Sequence, residues 1–271
     1  MSQGSEPLSN GIDVNVPSVA RMYDYYLGGK DNYAVDRVAS EDLLKVVPST
    51  KALALNNRQF LRRVVRRLAH DYGIRQFIDH GSGLPTQDNV HEVAQRVDPA
   101  SRVVYVDNDP IVLAHGRALL EENDNTVVIQ ADMRDTDGIF GHPEITRLID
   151  LDQPAAALFV SVMHCIPDSD DPAALVRRVA DRLAPGSFLV VCQLVSEDAA
   201  TRKFVTDFME TATHGNWGRV RQEHEVLPYF DGLEILEPGL VEVSTWRPDS
   251  GLGPKQLTQE WIEYGGVGRK S

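Results

Sequence analysis

The segment Phe77-Ile78-Asp79-His80-Gly81-Ser82-Gly83-Leu84-Pro85-Thr86 carries dense chemical information: a short apolar run ends in an acid and two glycines, and a helical pattern follows. Glycines at 81 and 83 let backbone approach a ligand at the carboxyl edge of a parallel sheet, where open α/β sheets bind ligands. A dinucleotide fingerprint needs a third glycine at 86. Thr86 stands there, and Pro85 removes an amide that a pyrophosphate would use. Taken alone, the turn fits either a nucleotide-like ligand or a tight structural turn.

Three further run ends add to it. Asp107 closes Val103-Val104-Tyr105-Val106, 24 residues beyond Gly83, near the spacing at which a carboxylate accepts both hydroxyls of a ribose. Asp109-Pro110 already supplies the cap and first residue of the next helix, so Asp107 is not needed there. At Ala131-Asp132-Met133, an acid and an amide can hydrogen-bond an adenine edge while Met133 covers the ring; a surface loop carboxylate is the plainer alternative. The run ending in Ser161-Val162-Met163-His164-Cys165-Ile166-Pro167-Asp168 offers His164 as a general base, because imidazole titrates near neutrality, or as a hydrogen-bonded structural residue.

These ends can meet only if their strands lie side by side. From residue 75, β-branched runs alternate with helical ones, which predicts a parallel sheet with crossover helices. Strands are expected over 76–80, 102–107, 126–131, 155–161 and 187–194, with helices near 86–97, 110–122, 143–150 and 171–183. A helix from 196 to about 213, an irregular stretch through Trp217 and Phe230, and strands near 233–236 and 240–246 follow. Upstream, Ser18 is expected to cap a helix carrying Val19, Met22, Tyr23 and Tyr26, which Gly28-Gly29 end. Helices over 36–46 and 49–69 come next. On the second, Arg62, Arg63, Arg66 and Arg67 read as a solvated face or an anion site.

Composition narrows the function classes. The 271 residues allow one large α/β domain or two small ones, and 42% hydrophobic with 25% charged residues excludes a disordered, collagen-like or coiled-coil chain. A formal charge of −13 argues against nucleic acid as partner and for small-molecule chemistry. Cys165 and Cys192 sit in apolar runs, as free thiols of a reducing cytoplasm would. The polar N-terminus lacks a signal h-region and no window is apolar enough to span a bilayer, so membrane association is not expected.

Together, Asp79-x-Gly81-x-Gly83, Asp107, Ala131-Asp132 and Met163-His164-x-x-Pro167-Asp168 resemble class I S-adenosylmethionine-dependent methyltransferases. The run Ala20-Arg21-Met22-Tyr23-Asp24-Tyr25-Tyr26-Leu27-Gly28-Gly29-Lys30-Asp31-Asn32-Tyr33, with Asn57-Arg58-Gln59-Phe60-Leu61-Arg62-Arg63 and the tail Tyr264-Gly265-Gly266-Val267-Gly268-Arg269-Lys270, is similar more narrowly to a bacterial family of S-adenosyl methyltransferases with undefined acceptor. The resemblance covers nearly the whole chain beyond its first residues.

It implies an α/β, Rossmann-like doubly wound sheet of seven strands, the last antiparallel, under an N-terminal helical cap. The implied division is a disordered leader at 1–16, the cap at 17–70, and a methyltransferase domain at 71–271 with an acceptor-side insert near 196–231. Asp79, Gly81, Ser82 and Gly83 would line the amino-acid half of S-adenosyl-L-methionine, with Asp107 on the ribose, Asp132 and Met133 on the adenine and Ser161 beneath the sulfonium. Tyr23 and Asn108 are also assigned to the cofactor. By looser similarity to carboxyl methyltransferases, Lys30 or Arg58 would pair with the methionine carboxylate. Small metal-dependent O-methyltransferases place acids where this chain has Ser161, Gln193 and Ser196, so no metal is expected.

The expected reaction is methyl transfer to a small-molecule oxygen, nitrogen or carboxylate. Tyr23, Tyr26, His164, Phe208, Trp217, Tyr229 and Phe230 are candidates to touch the acceptor. An NAD-dependent oxidoreductase and a cofactor-binding regulator without catalysis are the alternatives.

Overall fold

Nearly continuous apolar runs make strands that are buried on both faces, and helices must then cover both faces. The computed structural model describes residues 12–86, 88–119, 123–249 and 260–271. The first five strands are β1 (Gln76–His80), β2 (Arg102–Asp107), β3 (Thr126–Gln130), β4 (Ala156–Val160) and β5 (Phe188–Val195). They pair in parallel in the order β3-β2-β1-β4-β5, so the ends of β1, β2 and β4 open at one edge.

Alternate side chains divide the core. Ile78, Val104, Phe159 and Val191 pack on the face that α6 (Thr136–Phe140), α7 (Pro143–Leu148) and α8 (Pro172–Arg182) cover. Phe77, Tyr105, Leu158 and Val190 pack on the opposite face, under α3 (Thr50–Asp71) and α4 (Val90–Val97). The remaining helices are α1 (Val19–Tyr26), α2 (Ala34–Leu44), α5 (Pro110–Leu119) and α9 (Ala199–Ala212).

The far side of the sheet corrects the expected seven strands to eight among the described residues. The strand β8 (Ile262–Arg269) runs antiparallel to β5, and two short strands, β6 (Glu234–Ile235) and β7 (Val241–Glu242), pair with its other edge. A single sixth strand has been split: Glu234 and Ile235 face Arg269 and Gly268, whereas Val241 and Glu242 face Gly265 and Tyr264. The intervening Pro238 cannot donate to a ladder. The strand expected over 240–246 is confined to Val241–Glu242 and runs into a 3₁₀ turn, Val243–Thr245, while the glycine-rich β8 is the antiparallel partner of β5. A Cβ on Gly265 would strike the Val191 carbonyl, so this crowded pairing requires glycine.

The N-terminal helices pack over the open edge. Asp36 at the start of α2 accepts from the Ser18 and Tyr33 amides at 3.0 and 2.8 Å and from Arg21 Nε at 2.8 Å, joining α1 to α2 through a buried ion pair. The expected leader is ordered in its last part: Ile12 is buried against Leu84, Ile111 and Val112, and Arg21 donates to the Asp13 and Val16 carbonyls. Residues 1–11 of that leader lie outside the described residues. Arg63 departs from the expected solvated face. It is buried and donates to the carbonyls of Trp246 and Val243 at 3.1 and 2.7 Å, fastening α3 to the turn after β7.

Candidate active site

The ends of β1, β2 and β4 and the helices α1 and α3 enclose a cavity of about 240 Å³. One water needs roughly 10–15 Å³ by the same kind of measure, so this is room for an organic molecule. Tyr23, Arg58, Asp79, Gly81, Ser82, Gly83, Asp107, Asn108, Asp132, Met133, Ser161 and His164 all line it. Lys30 does not: it is exposed beyond the glycines that follow α1, which leaves Arg58 as the basic candidate for a methionine carboxylate.

At the end of β1 the chain turns through Gly81 (φ +69°) and Gly83 (φ +66°), a region costly for other residues. A Cβ on Gly81 would also collide with Val162 and come within 2.9 Å of Met133 Cε. The Gly83 amide donates to Asp107 Oδ2 at 2.8 Å, and the Asp109 amide to Asp107 Oδ1 at 2.9 Å. These bonds aim the carboxylate while leaving lone pairs for a diol. Burial pushes Asp107 up to about 6, against the pull of those amides.

Asp79 is 5% exposed and makes no side-chain hydrogen bond among the described residues. Burial raises its carboxyl to about 7; the Arg58 charge opposes the rise and Asp107 adds to it. Ser82 Oγ is likewise buried without a partner. An unpaired acid, a guanidinium and an orphan hydroxyl suit the ammonium and carboxylate of an amino acid, as the Asp107 geometry suits a ribose. The donor set therefore fits S-adenosylmethionine.

Asp132 differs from expectation in its company. Arg134 Nε reaches both its oxygens at 2.9 and 3.0 Å, and Arg134 also bonds Asp170 at 2.8 Å. The Arg134 guanidinium thereby holds Asp132 below the usual carboxylate range. Arg134 lines the cavity too, and no motif spacing singled it out.

One end of the cavity is apolar. Met22, Leu43, Leu53, Leu194, Met209, Trp217 and Trp261 surround it, together with Tyr23, Tyr26 and His164. Phe208 packs beside this cluster without lining the cavity, and Tyr229 and Phe230 belong to the core on the other face. His164 is poorly placed to be a base: its Nδ1 accepts the Leu194 amide at 3.3 Å, its ring lies against Trp217, and burial lowers it to about 3. With Nδ1 so used, Nε2 carries the proton and is a donor. Asp168 from the same turn is paired with Arg219 and Arg221 and supports the loop.

Glu263 on β8, 1% exposed and bonded to Ser161 Oγ, is another lining residue that sequence reasoning missed. An acid within the run Trp261-Ile262-Glu263-Tyr264 was the available signal. Among the described residues no group of three or more His, Cys, Asp or Glu is placed to hold a metal ion, and no helix is long and apolar enough to cross a membrane.

The sequence profile of a family described as S-adenosyl methyltransferase matches residues 5–271. The chain belongs to that family. S-adenosylmethionine is accordingly its cofactor and methyl transfer its reaction, which sets aside the oxidoreductase and non-catalytic alternatives. A solved structure from Thermobifida fusca, assigned as a methyltransferase, is 41% identical over 98% of this chain and all of its own, with a TM-score of 0.90. A duf574 family protein from Streptomyces avermitilis is 37% identical over 96% of this methyltransferase and 99% of its own chain, with a TM-score of 0.86. Mitomycin 7-O-methyltransferase shares the fold at 18% identity, with 87% and 60% coverage and a TM-score of 0.50. No curated protein sequence matches.

Proposed function

We propose that this methyltransferase acts on a small-molecule acceptor held between the N-terminal helices and the edge of the sheet. The observation that carries the reading is the convergence in one cavity of Asp79, Asp107, Met133 and Ser161 with the apolar chamber of Met22, Leu53, Trp217 and Trp261. The cofactor supplies a methyl group already activated on a sulfonium. The protein then has to orient a nucleophile and exclude water. On this reading Asp107 binds the ribose, Asp132 and Met133 the adenine, and Asp79, Ser82 and Arg58 the amino-acid end. The N-terminal helices cover the site, with Tyr23 fixed by hydrogen bonds to the Ala54 carbonyl and Asn57 at 3.2 and 3.0 Å.

We also assign the enzyme to a reducing cytoplasm on its two free cysteines, and to a bacterium on the sources of its similar structures, Thermobifida fusca and Streptomyces avermitilis. Net charge of −13 supports a small acceptor over a nucleic acid. Calorimetry with S-adenosylmethionine, followed by methyl release against a metabolite library, tests the reading. Cofactor binding that survives loss of Asp107 and Asp79 together would sink the site assignment.

A further inference from the structure

Glu263 stands opposite Leu194 in the antiparallel pair β8–β5, so both side chains leave the same face of the sheet, toward the N-terminal helices. Its Oε1 accepts the Ser161 hydroxyl, and its Oε2 is buried with no N–H or O–H donor among the described residues, the weakly donating Cys192 thiol being its nearest polar neighbour. The groups around it are the Tyr23 hydroxyl from α1, the Cys192 thiol from β5, Cys165 from the turn after β4 and Glu242 from β7. No cation pairs with it among the described residues. A carboxylate in this place weakens the fold compared with an apolar side chain of similar size. Its position at the wall of the cavity, beside the apolar chamber, gives an oxygen with no strong donor a purpose.

Ser161 adds a second observation. It is a non-glycine residue held at φ +58°, with its amide bonded to the Cys192 carbonyl at 3.0 Å, and this strained turn aims its hydroxyl at Glu263. Ser161 is thus a positioning residue for the carboxylate.

We infer that Glu263 receives the proton of the methyl acceptor, and that this acceptor is a largely apolar molecule presenting a neutral hydroxyl or amine rather than a carboxylate. The inference rests on the small-molecule site proposed above. The acceptor's O–H or N–H bond breaks, and the proton passes to Glu263. A lone pair on the acceptor oxygen or nitrogen forms the bond to the transferred methyl, the pair of the broken O–H or N–H bond stays on that atom, and the pair of the broken carbon–sulfur bond stays on sulfur. Burial raises the Glu263 carboxyl to about 7, with the Ser161 bond opposing the rise, which suits a base that must take and return a proton near neutrality. A second carboxylate at the same place would meet like charge.

The test uses the full chain with S-adenosylhomocysteine bound, and phenol, aniline and benzoate as probes, read by saturation-transfer NMR and calorimetry at pH 8. Phenol and aniline should bind and benzoate should not. Glu263→Gln should weaken phenol and aniline by about fivefold or more and admit benzoate, with S-adenosylhomocysteine affinity unchanged within about twofold. In the unaltered protein, benzoate binding should appear as pH falls from 8 to 5.5, where benzoate stays anionic and Glu263 gains a proton. Asp79 and Asp107 lose charge in the same window, so the arm is repeated in Glu263→Gln, where this pH dependence should vanish. Benzoate bound as tightly as phenol at pH 8, no phenol binding at all, or probe affinities unmoved by Glu263→Gln would each overturn the inference. Failure of the unaltered protein to bind S-adenosylhomocysteine would instead count against the cofactor site itself.

Discussion

Ser18 Oγ donates a 2.7 Å hydrogen bond to Asp109 Oδ2, while Oδ1 of the same carboxylate accepts the Ile111 amide at 3.0 Å. One acid therefore holds the start of α5 and fastens the N-terminal segment beside the cavity. Because the Ser18 hydroxyl is spent on Asp109, it makes no cap bond to α1, contrary to what its place before the helix suggests.

A lid role for this segment predicts that the link is its latch. Ser18→Ala removes one hydrogen bond to a charged group, a loss of about 1.5–3 kcal/mol, so cofactor dissociation should accelerate by up to roughly ten- to a hundredfold. Asp109→Ala should do the same and also cost about 1 kcal/mol of stability through the lost cap. Stopped-flow dissociation and thermal melting separate the two effects. A normal off-rate in both variants would refute the lid.

Asp107 should matter more to the cofactor than either. Both its oxygens accept backbone amides, so Asp107→Asn keeps the shape but sets its NH2 against one of those N–H groups, and melting must be read beside affinity. Losing the charge should weaken cofactor binding on the order of tenfold to a hundredfold, with a modest drop in melting temperature. Calorimetry decides: equal affinity would remove the ribose from Asp107.

The sequence was legible where one physical rule dominated. Buried parallel strands read from apolar runs, and β1 and β2 fall where expected because Asp79-His80-Gly81 and Asp107-Asn108-Asp109 end them sharply. The strand β8 was hidden because Gly265, Gly266 and Gly268 erase the pattern, although the close approach of Val191 to the first, Gly239 to the second and Leu233 and Phe230 to the third leaves little room for a side chain. Glu263 was hidden with it. Arg63 was misread because helical spacing alone cannot show that distant carbonyls wait in the core. Lys30 and Arg58 could not be ranked without knowing which side of the glycine turn faces the cavity.

Proton release should accompany cofactor binding. The Asp79 carboxyl is raised to about 7 in the free protein, and a ligand ammonium beside it favours the anion. Affinity should therefore rise between about pH 6 and 7 and level off above, with up to one proton released near neutrality. In the free protein the sign is opposite for folding: from about pH 4 to 7 the unfolded chain loses this proton first, so stability falls. Asp79→Asn should raise the melting temperature of the free protein at pH 8 and abolish proton release. Calorimetry in buffers of different ionisation enthalpy would expose the idea as wrong if the heats coincide.

Methyl transfer should proceed without a divalent cation. The fourth strand ends in Ser161 rather than an acid, and the nearby carboxylates are spread along the cavity or tied to arginines. EDTA treatment should leave turnover unchanged. A loss that magnesium restores would contradict this.

The last prediction separates the two ends of the cofactor. Arg58 lines the cavity with its guanidinium braced by the Asp88 carbonyl and Asn89 Oδ1 at 3.2 and 3.4 Å, whereas Lys30 is exposed outside. A carboxylate held by that guanidinium is a charge-assisted contact, so Arg58→Ala should weaken S-adenosylhomocysteine by roughly ten- to a hundredfold. It should leave 5′-methylthioadenosine, which lacks the amino-acid end, nearly unaffected. Asp107→Asn should weaken both ligands, because both carry the ribose. Lys30→Ala should weaken neither. The Arg58 charge also holds Asp79 down, so part of the alanine effect is Asp79 gaining a proton; Arg58→Lys keeps the charge but not the planar fork and should recover only that part. Calorimetry of the two ligands against these variants at pH 8 gives the pattern. Equal losses for both ligands in Arg58→Ala, or a loss in Lys30→Ala alone, would show that the methionine carboxylate is held elsewhere.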